Sequence, residues 1–168
     1  MSYAKATTVS RERTIGELER TLARYGATAF AYGWQGNRAL VEFIATKRRI
    51  RFTLAMPPRE DFLYTPSRRY TRSEAEVDKL WEQSQRSRWR ALLLVVKAKL
   101  EAVEAGIAEF EEEFLAYIVL PDGQTVGQFT LPQVEVAYEL NTMPPMLPAL
   151  GEGSACAAPS DAARRSAP

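Results

Sequence analysis

The stretch Ala29–Pro58, AFAYGWQGNRALVEFIATKRRIRFTLAMPP, decides the fold. Phe30, Tyr32 and Trp34 alternate with Ala29, Ala31 and Gly33, the period of a strand with two unlike faces. Gln35-Gly36-Asn37 reads as a tight turn, and Val41 and Phe43 then share one face of a second strand, opposite Leu40 and Ile44. Lys47-Arg48-Arg49 is either a turn or the start of a third strand. Along that strand Ile50, Phe52, Leu54 and Met56 share one face, and Arg49, Arg51 and Thr53 the other. Pro57-Pro58 ends it, because proline lacks the N–H a ladder requires. The prediction is a three-stranded antiparallel meander. The row Phe30, Tyr32, Trp34 reads as one side of its core, and a base-stacking platform at Tyr32 and Trp34 is the alternative.

Helical signals flank the meander. Thr14 followed by Glu17 has capping-box spacing, so the first helix is expected to open at Thr14, with Ile15, Leu18, Leu22 and Tyr25 on one face and Gly26 just past its end. After a loop of roughly fifteen residues, long for a connector, Ser73 and Glu76 form a second capping box. Leu92, Val96, Leu100, Val103, Ile107, Phe110, Phe114 and Ile118 then recur at steps of three and four. An unbroken helix from 74 to 118 would be about 67 Å long. That exceeds a domain of this size, so a break near Ser84–Ser87 or at Gly106 is expected, or a protrusion that meets another subunit.

Pro121-Asp122-Gly123 reads as a turn. Thr125 and Thr130 suit the N-caps of one or two short helices carrying Val126, Phe129, Val134 and Tyr138. Met143-Pro144-Pro145-Met146-Leu147-Pro148 reads as polyproline-like. The predicted class is α+β: an N-terminal helix, a three-stranded antiparallel sheet, a long helix packed on the sheet and short C-terminal helices. The predicted organisation is a flexible segment 1–10, one domain 11–150 and a disordered Gly/Ala/Ser/Pro-rich tail 151–168.

Composition removes several chemistries. The 168 residues include no histidine, which excludes Ser-His and Cys-His nucleophile pairs, the commonest general base and most zinc sites. Cys156 is the single cysteine, so no disulfide forms within the chain. The nine glycines show no Walker or dinucleotide spacing. No secretory h-region opens the chain, and the longest apolar run, Ala91–Val96, is too short to span a bilayer. A cytoplasmic protein with no membrane partner, no cofactor and no catalytic residue is the expectation.

Charge is the strongest functional signal. Residues 47–91 hold twelve Lys/Arg against six acids, whereas residues 100–150 hold nine acids and no Lys or Arg. Such asymmetry suits a polyanion at one end of the chain. Arginine outnumbers lysine seventeen to five, and guanidinium groups contact phosphates bidentately and stack on bases. Arg49, Arg51, Arg68, Arg69, Arg72, Arg86 and Arg90 are therefore candidate phosphate contacts, and Tyr70 and Trp89 candidate stacking residues. The leading expectation is a non-enzymatic nucleic-acid-binding protein, for DNA or RNA. Self-pairing of these arginines with the chain's own acids is the competing reading.

The acids support two further readings. One is a small adaptor or inhibitor that binds a host protein through the acidic helix, with homo-oligomers left open. The other is a carboxylate–metal nucleotide hydrolase on Glu101, Glu104, Glu112 and Glu113, since carboxylates three apart on a helix hold divalent cations in helical bundles. A solvated helix face is the ordinary origin of such a run.

Over residues 14 to 105 the order helix, three strands, helix resembles the double-stranded RNA-binding domain, whose second helix begins with a basic cluster. The family's Gly-Pro-Ala loop and Lys-Lys-Ala-Lys helix start have no counterpart here. The same order is similar to phage single-strand annealing proteins built on a β-β-β-α core with a basic groove. The stretches Trp89–Glu104 and Phe110–Ala116, the second running into Pro121–Gly127, also resemble small uncharacterised proteins of phages and other mobile elements. That resemblance implies a mobile-element setting and no activity.

Overall fold

The computed structural model describes residues 4, 7–67 and 69–142. Arg68, the segment Met143–Pro148 and the tail from 151 lie outside the described residues. The chain forms two compact units, Met1–Phe129 and Thr130–Pro168. The first contains helix α1 (Arg11–Arg24), strands β1 (Ala29–Gln35), β2 (Arg38–Ala45) and β3 (Arg48–Ala55), helix α2 (Glu74–Glu104) and the short helix α3 (Phe110–Phe114). Helix α4 (Val126–Leu140) begins in the first unit and continues into the second, with Pro132 inside it. This is the expected α+β class.

The sheet is antiparallel in the order β1-β2-β3. Its register places Tyr32 beside Val41 and Trp34 beside Ala39, and Phe52 beside Val41 from the other side. Phe30 packs against the core from this face as expected, whereas Tyr32 and Trp34, on the same face of the edge strand, only lean edge-on against Trp89 and stay 53% and 48% exposed. Lys47 belongs to the β2–β3 turn: Thr46 and Lys47 both take positive φ (51° and 60°), the pattern of a two-residue I′ hairpin whose twist matches the strands.

Both long helices pack on that one face. Ile15, Leu18 and Leu22 of α1, Val41, Phe43, Ile50 and Phe52 of the sheet, and Trp89, Leu93, Val96 and Leu100 of α2 form one buried cluster. Phe114 of α3 closes the far end, edge-on to Phe43 at 5.9 Å and to Phe52 at 6.4 Å. The opposite sheet face presents Leu40, Glu42, Arg49, Arg51 and Thr53 and is mostly polar.

Helix ends show where sequence spacing misled. Helix α1 opens at Ser10, whose Oγ accepts from the Arg13 N–H at 3.2 Å, and Thr14 sits inside the helix. Thr14 is buried, and its hydroxyl donates to the Ser10 carbonyl at 3.0 Å, so it has no capping role. Gly26 ends α1 as expected, at φ 83°, with Ala27 N–H bonded to the Leu22 carbonyl.

Helix α2 opens on the Ser73–Glu76 capping box and runs 31 residues, about 46 Å. It passes through Ser84–Ser87 unbroken and stops at Gly106. There φ is 68°, and the Gly106 and Ile107 N–H groups bond back to the Val103 and Ala102 carbonyls. That reversal throws Ile107 out of the apolar stripe, leaving it 79% exposed. Beyond the Gly123 turn, Thr125 caps α4 reciprocally with Gln128, and Thr130 falls within the helix rather than opening a second one.

Candidate nucleic-acid interface

Parallel packing of α1 and α2 brings a row of basic residues together. Contacts climb the two helices together: Arg11 reaches Gln85, Glu17 reaches Arg90 and Lys97, and Tyr25 reaches Glu101. Along α1, Arg13, Glu17, Arg20 and Arg24 follow at steps of four, three and four, so they share one flank. Along α2, Arg86, Arg90 and Lys97 follow at four and seven and share the flank that faces them. Six cations thus border one seam.

Few carboxylates answer them. Glu17 alone takes both Arg90 (2.7 Å) and Lys97 (2.5 Å), and Glu82 takes Arg86 at 3.5 Å. The hydrogen bond from Lys97, with that from Arg90 behind it, holds the Glu17 carboxyl below its ordinary value, while partial burial works against them. One carboxylate against two cations leaves net positive charge at the centre of the seam. The guanidinium groups of Arg13 and Arg20 are exposed and meet no acceptor among the described residues. At the far end Arg24 lies over the Tyr25 ring at 4.8 Å, and Tyr25 donates to Glu101, closing the row with an acid.

The residues expected from sequence divide sharply. Arg86 and Arg90 belong to this seam. Arg49 and Arg51 lie on the opposite sheet face, where both clamp Glu42, at 2.7 and 2.5 Å. Burial pushes the Glu42 carboxyl up, but Arg51 and Arg49 together bring it below its ordinary value. Arg51 also donates to the Gly123 carbonyl at 2.7 Å, tying β3 to the turn before α4. These two arginines hold the fold together, as the self-pairing reading required. Arg72 donates to the Phe62 and Tyr64 carbonyls and clips the β3–α2 loop.

Trp89 corrects the stacking assignment. It is 0% exposed and sits edge-on to Tyr32 (6.1 Å) and Trp34 (6.4 Å), so no base reaches its ring. Neighbours on a helix point about 100° apart, which is why Arg90 faces the seam while Trp89 faces the core. Arg69 and Tyr70 are exposed in the loop. From the start of α2 to Arg86 is about 18 Å along the helix, so they stand apart from the seam.

The carboxylates proposed for a metal do not assemble. Among the described residues no group of three or more acids is placed to hold an ion. Glu101 accepts from Tyr25, Glu113 pairs with Lys99 at 2.8 Å, and Glu111 approaches Arg48 at 3.9 Å. Within the acidic stretch Glu111 and Glu113 thus meet cations of the chain itself. Among the described residues no helix is long and apolar enough to cross a membrane.

Sequence reading missed Arg13, Arg20, Arg24 and Lys97. A helix begun at Thr14 leaves Arg13 outside it, which hides the stripe Arg13–Glu17–Arg20–Arg24. The signal was present in the spacing once Ser10 is taken as the cap. No protein-family model, curated protein or solved structure matches the chain.

Proposed function

We propose that this chain is a non-enzymatic nucleic-acid-binding protein whose phosphate-contacting surface is the α1–α2 seam. The observation that carries the reading is the row Arg13, Arg20, Arg24, Arg86, Arg90 and Lys97, with Glu17 and Glu82 as the opposing acids within it. Two parallel helices hold these cations on a rigid strip of about 16 Å, the rise from Arg86 to Lys97. Such a strip follows several successive phosphates, and rigid presentation avoids the ordering cost that flexible lysine-rich tails incur. Partly buried Arg90 and Lys97 contribute field, and exposed Arg13 and Arg20 contribute direct contacts.

The test is fluorescence anisotropy of labelled oligonucleotides titrated from low to moderate salt. Binding that weakens steeply with salt, and whose slope falls by about 0.7 to 0.9 for each of Arg13→Ala and Arg20→Ala, is expected. Absence of binding at 20–50 mM salt, roughly the range where such contacts are strongest, would refute the reading.

A further inference from the structure

At the N-terminal end of the seam the basic strip opens into an aromatic cleft. A hollow of about 310 Å³ is lined by Arg86 of the seam together with Arg11, Trp81 and Gln85. The last three also line an adjoining cleft of about 390 Å³, whose other walls include Trp34 and Asn37. The two hollows are therefore contiguous, and a path leads from the phosphate-facing arginines to two indole rings. The cleft's volume falls in the range of small-ligand sites, about 300 to 1,000 Å³.

Its walls have the chemistry of a base reader. Trp34 is 48% exposed, with its inner edge braced on buried Trp89 and Arg11 over its ring at 5.7 Å. Trp81 is positioned by its Nε1–H, which donates to the Pro57 carbonyl at 3.1 Å. Gln85 is 8% exposed and its Oε1 accepts from Arg11 at 3.5 Å. Its Nε2 hydrogens meet no acceptor among the described residues, although it lines both hollows. Those hydrogens are left open to the hollows, where they can donate to an acceptor. A flat ring with acceptor edges, stacked on indole, can take that hydrogen bond from Gln85. Among the cleft's charged members Arg59 pairs with Glu74 and Asp78 and Arg11 with Glu12, while Glu60 places an exposed carboxylate at the rim. Recognition here rests on stacking and amide hydrogen bonding, with the phosphate left to the seam.

We infer that the Trp34–Trp81 cleft takes one unpaired nucleobase of a strand whose phosphates lie along the α1–α2 seam. The inference rests on the proposed function and adds to it a preference for single strands, because a base stacked and paired within a duplex presents no free face or edge.

Anisotropy with three labelled 12-mers tests it: a single strand, the same backbone made wholly abasic, and the matching duplex. The single strand should bind about tenfold more tightly than the abasic strand, as expected for one stacked base. Trp34→Ala should abolish that difference while leaving the abasic affinity unchanged. Gln85→Met, which keeps the volume and removes the amide, should reduce it and serves if the first variant fails to fold. Arg13→Ala/Arg20→Ala should weaken both strands alike. Equal affinity for single and abasic strands, or for single strand and duplex, would overturn the inference and leave the seam standing. Absence of all binding would instead remove the proposed function. A free nucleoside monophosphate that quenches Trp34 as strongly as the 12-mer would make the cleft a nucleotide site independent of the strand. Quenching by a proline-rich peptide alone would make it a peptide groove; either result refutes the base-reading role.

Discussion

Replacing Glu17 by glutamine should move stability and affinity in opposite directions. Glu17 accepts from Arg90 and Lys97 at once, and the three side chains are 29%, 20% and 39% exposed. Each pair is partly screened by solvent, so the two together contribute about 1–2 kcal/mol rather than the larger figure of a fully buried network. For a chain of this length that loss lowers the melting temperature by roughly 2–8 °C. The pH dependence fixes the cause. Glu17 is held below the ordinary carboxylate value of 4.5, so its contribution is complete above that value and is lost as pH falls through the depressed native value. The stability gap between wild type and Glu17→Gln should therefore be widest near neutrality and close in strong acid. Binding responds the other way, because the variant adds one net positive charge to the strip. The salt slope for a single strand should steepen by about 0.7, which is about fivefold in affinity at 0.1 M salt relative to 1 M. Urea unfolding between pH 7 and pH 3, paired with anisotropy titrations at pH 7, measures both. A stability gap that ignores pH, or a variant that binds more weakly, would refute the reasoning.

Four further outcomes follow from the same geometry. Arg49→Ala/Arg51→Ala should leave oligonucleotide affinity within about twofold and lower stability by about 1–3 kcal/mol, since the pair is spent on Glu42 and the Gly123 carbonyl; urea melts beside anisotropy distinguish this from a phosphate-contacting role. Trp89→Ala should cost about 3–5 kcal/mol by emptying the centre of the core, measured by thermal unfolding. Gly127→Ala should destabilise by about 1–3 kcal/mol, because a Cβ there lies 2.9 Å from the Ala116 backbone oxygen, which cannot give way as a side chain would. Ser73→Ala should cost about 1 kcal/mol through the capping box of α2, and hydrogen exchange should show the loss concentrated in the first turn of that helix.

The meander was legible because strand alternation is a local property. Phe43, Ile50 and Phe52 announce one face, and Arg49 and Arg51 the other, before any partner is known. The same holds for Gly26 and Gly106, where only a residue without a Cβ takes positive φ at no cost. The cap of α1 was harder: Ser10 and Thr14 are both good N-cap types one turn apart, and only the packing of Thr14 against the interior decides between them.

The proposed nucleic-acid surface was legible only in part. Counting charge along the chain gathered Arg49, Arg51 and Arg72 with Arg86 and Arg90, although the fold sends the first two to the far side of the sheet and spends Arg72 on loop carbonyls. It also omitted Arg13, Arg20, Arg24 and Lys97, which lie up to about eighty positions from their neighbours in the seam. Trp89 shows the same limit within one turn of helix, where its angular position rather than its neighbours buries it.

Hydrophobic period and turn glycines by themselves determined the α+β class, the strand faces and the end of α1, and offered Gly106 as one of the places where α2 could stop. They act over fewer than eight residues, so no tertiary context is needed to express them. Which cations stay free, which carboxylate stands between two of them, and that Trp34, Trp81 and Gln85 wall a common cleft were decided by the parallel docking of α1 and α2 on one sheet face. Those relations join residues of different elements at hydrogen-bond and van der Waals range, and side-chain chemistry at that range depends on distance and burial that no linear spacing encodes.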